Sequence, residues 1–380
     1  MSGGVPTGSA VMTANEAAAY AAVLARVQAV GCYPITPQTL IVERLADMVA
    51  DREGVEFAEL ESEHSMFGYV IGAARAGVRT FTATSSQGLL YAHEQLHRAS
   101  RERIPLVAVD VNRAVFAPWS IEPDLTDSMS QRDTGWIQLY CASAQEVLDT
   151  VICAYRLAEE TMLPALICAE GFLLSHTSEL VDVPSQDDVD GFLPDFVPPD
   201  DWLLDPRKPR LYSALPSAAD DYFAFQRDVA DALEGAKETI EAVASEFTLQ
   251  LGRSKVGALE LSGNRRGSKA IVAAGTIAET ARELLEDDDD LLVIRVHAYR
   301  PFPAKKLLEA LRHAAKVVVF DRAAAFGALG PLGTDVRALG LDAATVVGGL
   351  GGADVTPTTL RWALEQRPDV TAAYVPEGVR

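Results

Sequence analysis

The chain has 380 residues, 48% of them hydrophobic, and its 33 basic against 54 acidic side chains give a formal charge of -21. That length and apolar content suit two packed domains, and so acidic a surface repels nucleic acid and anionic membranes at long range. No apolar run reaches ~18 residues, and the opening MSGGVPTGSA lacks the basic and apolar regions of a secretory signal, so a cytoplasmic protein with no membrane span is expected.

Residues 1–11 read as a tail. From Met12 to Ala29 an alanine-rich run predicts a helix with Asn15 as N-cap, ended at Gly31. The turn Cys32-Tyr33-Pro34-Ile35-Thr36-Pro37 follows, its two prolines fixing the backbone and holding Thr36 in one place ahead of a helix from Leu40 to Ala50. Read alone, Thr36 is better taken as a capping residue of a structural turn.

A strand is predicted at Val55–Ala58 and a helix from Ser62, its N-cap, with Met66, Phe67, Val70, Ile71 and Ala74 recurring on one face. Gly77 stops that helix, and the β-branched run Arg79 to Ala83 restarts a strand. Glu63 therefore sits in a first helical turn beside a strand end, where an acid also simply complements the helix dipole.

After Gln87-Gly88-Leu89 and a second helix, Ile104 to Val111 is a continuous apolar run that reads as a buried parallel strand. Arg113 stands at its carboxyl end, where open α/β sheets collect ligands. Val115 to Arg132 is a long loop without periodicity, and Trp119 within it reads as a pocket wall, core filler or subunit contact. Strands at Thr134–Tyr140 and Leu163–Cys168 flank a helix from Ala144 to Glu160. This alternation predicts a doubly wound parallel sheet over residues 12–180.

Val181 to Lys208, rich in Asp and Pro and including Pro198–Asp201, reads as the start of a linker within 181–265, followed by a helix from Ala218 to Ala244. A second, smaller α/β domain at 266–380 is expected from strands at Lys269–Ala274, Leu291–His297 and Lys316–Asp321 with helices at Ile277–Glu286 and Ala304–Ala314. The glycine cluster Gly348 to Gly352 lacks P-loop and GxGxxG spacing and reads better as a turn. Four scattered cysteines (Cys32, Cys141, Cys153, Cys168) contain no CxxC pair, which excludes a cluster-binding ferredoxin module in this chain. Six histidines show no metal-ligand spacing, so no metal is expected here.

Several stretches taken in order carry a family resemblance: Tyr33-Pro34-Ile35-Thr36-Pro37, Glu61-Ser62-Glu63-His64, Thr82 to Leu89 (TATSSQGL), Ala274-Gly275-Thr276, Tyr299 to Pro303 (YRPFP) and Gly348 to Thr356 (GGLGGADVT). Together they resemble the alpha subunit of thiamine-diphosphate-dependent 2-oxoacid:acceptor oxidoreductases, the pyruvate:ferredoxin oxidoreductase family. The resemblance implies a pyrimidine-type thiamine-diphosphate-binding domain followed by a transketolase C-terminal-like domain. It implies that Glu63 activates the cofactor's aminopyrimidine, that Ser86, Gln87 and Gly88 line the cofactor, and that Thr36 and Arg113 hold the substrate carboxylate, with Pro34, Ile35 and Trp119 beside the substrate. No GDG motif occurs, so diphosphate and magnesium are expected on a beta subunit, with iron-sulfur clusters in partner chains, gamma and ferredoxin-like delta subunits, and coenzyme A as co-substrate, in a dimer of hetero-oligomers. Without its beta subunit the chain is expected to be inactive. Pyruvate is the first substrate expected. Trp119, and Leu125 near which the pyruvate-specific pattern often carries a histidine, keep phenylglyoxylate, oxalate and branched-chain acids open. A carboligase of transketolase type and a non-catalytic scaffold are the competing readings.

Overall fold

The continuous apolar run after Ile104 becomes the strand Val107–Asn112, buried at all six positions, in the middle of a seven-stranded sheet. In a computed structural model that describes residues 5–199, 202–209, 219–254 and 257–379, the sheet runs Ala298–Arg300, Ile137–Tyr140, Ala165–Glu170, Val107–Asn112, Thr80–Thr84, Ala29–Cys32, Glu56–Glu59. Six strands are parallel. The first, contributed by the carboxyl-terminal half of the chain, pairs antiparallel with Ile137–Tyr140. Helices Ala14–Leu24 and Ala144–Thr161 cover one face, and Glu63–Arg75 and His93–Arg101 the other, which is the doubly wound α/β arrangement.

The second sheet runs Ala373–Tyr374, Ala343–Val347, Lys316–Asp321, Lys269–Ala274, Leu291–Val296, Leu259–Gly263, parallel except for its last edge strand. The two sheets share an apolar core: Trp136, Tyr140 and Leu166 pack in one cluster with Ala270, Ile294 and Val319. The helix Ala219–Leu251 buries Val229, Ala236, Ile240, Val243 and Phe247 along one stripe, against the helix Ala144–Thr161. No helix of the described residues is long and apolar enough to cross a membrane.

Several elements depart from the sequence expectation. The first helix is Ala14–Leu24, capped by Thr13 through a capping box with Glu16, and Asn15 caps nothing. Its amide instead donates to the Pro37 carbonyl at 2.8 Å. Ala29–Cys32 is a strand, so the twice-proline turn links a strand to the helix Thr39–Val49. Four residues following an alanine-rich run carry no change of period, and chain-local pattern cannot separate them. The helix stops before Arg26, which takes a left-handed φ of 60° that a sequence search for glycine overlooks.

The tail and the linker also hold structure. Gly8–Met12 pairs antiparallel with Glu179–Val183, and Ser185 caps the helix Gln186–Phe192 through a capping box with Asp188. Val181 and Val183 are buried while Leu180 and Asp182 are exposed, a period of two over too few residues to stand out among Asp and Pro. The loop 115–132 contains a short buried helix, Thr126–Met129. Asp200 and Asp201 of the Pro198–Asp201 turn, Ala218 at the expected helix start, and residues 1–4 lie outside the described residues.

Candidate active site

Four neighbouring strands of the first sheet deliver their carboxyl ends to one place. The turn Tyr33–Pro37 follows Cys32, Ser62 and Glu63 follow Glu59 by a short turn, Ser85–Gly88 follows Thr84, and Arg113 follows Asn112. The turn is pinned from beneath: Gln38 donates through Nε2 to the carbonyls of Tyr33 (2.9 Å) and Ala83 (3.0 Å). Thr36 is exposed on it, and its hydroxyl makes no hydrogen bond among the described residues; Pro34 is exposed and Ile35 half-buried.

Ser62 caps the helix Glu63–Arg75, accepting from the Ser65 amide at 3.3 Å, and so places Glu63 as the first helical residue. Glu63 is 6% exposed. Burial pushes its carboxyl above the ordinary range, opposed only by its own backbone amide. Gly88 makes this packing possible, because a Cβ there would run into the Glu63 carboxylate and lie 2.5 Å from the Thr84 hydroxyl. Around this spot Thr84 Oγ1, Ser85 Oγ, Gln87 Nε2 and Arg113 Nε are buried without a hydrogen-bond partner among the described residues.

Arg113 is 3% exposed and donates from Nη1 to the Thr36 carbonyl (2.7 Å) and from Nη2 to Gln87 Oε1 (3.0 Å). Both acceptors are neutral. Burial draws the guanidinium below its ordinary value, against the opposite pull of Asp127. A buried cation whose side chain hydrogen-bonds only neutral oxygens favours an incoming anion. Arg113 also lies 5.6 Å from the ring centroid of Trp119, which is 70% exposed and meets Phe116 edge-on at 5.6 Å. Trp119 is therefore not core filler.

Glu63, Ser86, Gln87, Gly88, Thr36 and Arg113 thus form one continuous constellation, with Trp119 at its rim. Leu125, by contrast, packs its side chain in the apolar core, and its amide donates to the Arg322 carbonyl at 2.8 Å.

That backbone bond between Leu125 and Arg322 is one of several that seat the loop on the second domain. The Gly351 amide donates to Asp124 Oδ2 at 3.1 Å and the Gly352 amide to the Pro123 carbonyl at 2.7 Å, so the glycine cluster serves as a turn against the loop. Beneath it, Glu170 pairs with Arg322 and accepts from the amide and hydroxyl of Thr276, each at 2.7 Å. Three residues that organise this region, Gln38, Asp127 and Glu170, escape the sequence reading, and a fourth, Asn15, is legible there only as a helix cap. Each is a polar residue inside the fold, and only a position in an otherwise apolar stretch, as for Glu170 after Ala165, signals it. Among the described residues no group of three His, Cys, Asp or Glu side chains could hold a metal ion.

Residues 20–245 match the family described as pyruvate flavodoxin/ferredoxin oxidoreductase, thiamine diphosphate-binding, and residues 268–360 match pyruvate:ferredoxin oxidoreductase core domain II. The pyruvate synthase subunit PorA of Methanothermobacter thermautotrophicus is 43% identical over 358 residues, spanning 91% of this chain and 92% of the relative. The ketoisovalerate oxidoreductase subunit VorA of Pyrococcus horikoshii is 42% identical over 332 residues, spanning 86% and 84%. A solved 2-oxoglutarate:ferredoxin oxidoreductase from Magnetococcus marinus superposes with a TM-score of 0.73 at 18% identity, over 95% of this chain and 66% of that longer one, which supports the fold. The chain belongs to the 2-oxoacid:ferredoxin oxidoreductase family, as a subunit of the alpha type whose first domain is of the thiamine-diphosphate-binding class.

Proposed function

We propose that this chain, joined to partner subunits, carries the aminopyrimidine side of a thiamine-diphosphate site and the substrate carboxylate site of an enzyme that oxidatively decarboxylates a 2-oxoacid. The overall change is 2-oxoacid plus coenzyme A to acyl-CoA, carbon dioxide, a proton and two electrons, the electrons passing to ferredoxin or another acceptor. The observation that carries this reading is Arg113: a buried guanidinium bonded, among the described residues, only to neutral oxygens, next to exposed Thr36 and joined through Gln87 to the segment that packs on Glu63.

The residues present fit the cofactor. Glu63, kept protonatable by burial, lies among orphaned donors and acceptors of Thr84, Ser85 and Gln87, in a space that Gly88 leaves open. When bound, thiamine diphosphate supplies a sink for the electron pair that loss of carbon dioxide leaves behind. Glu63 would hold a proton at Oε against the aminopyrimidine, with Ser86, Gln87 and Gly88 as the wall on which the ring lies. Arg113 and Thr36 would fix the substrate carboxylate, and Pro34, Ile35 and Trp119 would border the rest of the substrate.

Diphosphate, magnesium and at least one iron-sulfur cluster would come from a beta subunit and its companions, gamma and ferredoxin-like delta chains, in a dimer of hetero-oligomers in the cytoplasm. Alone, the chain would be inactive. Pyruvate is the first substrate we propose. The exposed Trp119–Phe116 pair beside Arg113 favours a branched-chain or aromatic 2-oxoacid as the second. The test is thiamine-dependent carbon dioxide release and viologen reduction by the complex with pyruvate, 3-methyl-2-oxobutanoate, phenylglyoxylate and oxalate. Turnover of one acid names the substrate, and silence with all four contradicts the reading.

A further inference from the structure

One carboxylate ties the two halves of this site together from behind. Asp127, fully buried on the short helix Thr126–Met129, accepts through Oδ2 from the backbone amides of both Ser86 (3.0 Å) and Arg113 (2.9 Å). Its Oδ1 accepts from Asn112 Nδ2 (2.9 Å) and from the Ser128 amide (2.8 Å). Ser86 begins the Ser86–Gly88 wall beside Glu63, and Arg113 is the substrate-side cation. A single oxygen atom therefore sets the spacing between the two segments.

We infer that Asp127 is a positioning residue, holding the Ser86–Gly88 segment and Arg113 in the register at which cofactor and 2-oxoacid carboxylate meet. This rests on the roles proposed above for those two segments. Four donors converge on the carboxylate, so it must act as acceptor at every position. An asparagine of the same shape offers one oxygen, so in either orientation its NH2 faces two N–H donors and one side of the clamp loses its acceptor.

The neighbouring Asp110 supports the assignment of charge. It is fully buried, and burial together with Asp127 drives its carboxyl well above the ordinary range. Asp127, pushed up by burial to about 6, carries the charge above that pH. Asn112 bridges the pair, donating also to Asp110 Oδ2 at 2.7 Å. The side chain of Arg113 faces the other way, toward Thr36 and Gln87, so the clamp acts on its backbone and leaves the guanidinium to the ligand.

The experiment uses the assembled complex and reads the dissociation constant of oxamate, an unreactive isostere of pyruvate, by calorimetry, beside KM and kcat for the best acid of the panel. Asp127→Asn is expected to weaken oxamate and raise KM by about tenfold or more, a change corresponding to about 1.4 kcal/mol. In an Arg113→Ala background, where the backbone amide is still held but no cation remains for it to place, the same substitution is expected to add less than about twofold. If Asp127→Asn does not assemble, Asp127→Glu, which keeps an acceptor-only carboxylate but displaces it, is read by the same criterion. Oxamate binding and KM at the wild-type value in an assembled Asp127 variant, with Arg113→Lys weakening both, overturn the clamp alone. Wild-type binding in Arg113→Lys overturns the substrate reading of Arg113 and the clamp with it.

Discussion

Arg113 reaches the Thr36 carbonyl at 2.7 Å across the ends of two strands that are not neighbours in the sheet, and so joins the twice-proline turn to the strand Val107–Asn112. The same guanidinium holds Gln87 Oε1 at 3.0 Å and lies 5.6 Å from the ring centroid of the exposed Trp119.

Arg113→Lys removes the planar fork and cannot bridge Thr36, Gln87 and a carboxylate together. The expected outcome is a KM for the 2-oxoacid raised by about tenfold to a hundredfold with the complex still assembled, or roughly 1.4 to 2.7 kcal/mol. Steady-state kinetics check it, and an unchanged KM contradicts the anion-site role.

Gly88→Ala places a methyl group against the Glu63 carboxylate and the Thr84 hydroxyl. Overpacking of this kind costs about 1–3 kcal/mol. Here it is expected to displace Glu63, lowering activity and thiamine diphosphate content together while far-ultraviolet circular dichroism stays as in the wild type. Full activity in the variant contradicts the close packing of Glu63 on Gly88.

Asp321 gives a pH-dependent stability. It accepts from the amides of Leu332 (2.8 Å) and Gly333 (2.9 Å) at the start of the helix Pro331–Ala338, yet burial wins and pushes its carboxyl from 3.8 up to about 7. The fold thus favours the protonated form. Stability from this group is fully present below its unfolded value of 3.8 and is lost as pH rises through about 7. Asp321→Asn does not titrate, so wild-type stability measured relative to it is expected to fall between those two values and level off above. A difference that stays flat or rises across that window contradicts the prediction.

Much of this site is legible along the chain because its residues sit at element boundaries that local rules recognise. Glu63 follows a serine N-cap, and Arg113 follows a mostly apolar strand buried at every position. Asp127 is the opposite case: an aspartate in a loop without periodicity reads as solvated, and its burial depends on Ser86 and Arg113 arriving from elsewhere. The roles of Asn15 and Gln38 are hidden likewise, since each pins the Tyr33–Pro37 turn through contacts that only the folded chain creates. Ala29–Cys32 is lost in the alanine run before it because a strand buried on both faces has no alternation to detect.

The most direct test of the catalytic assignment is Glu63→Gln in the assembled complex, measured as thiamine-dependent reduction of viologen by the preferred 2-oxoacid. The amide keeps the shape of the side chain but cannot exchange a proton with the cofactor. Activity reduced by about a hundredfold or more, with complex assembly and oxamate binding retained, is the predicted result. A variant complex as fast as the wild type would contradict it and leave this chain as a scaffold for chemistry performed elsewhere.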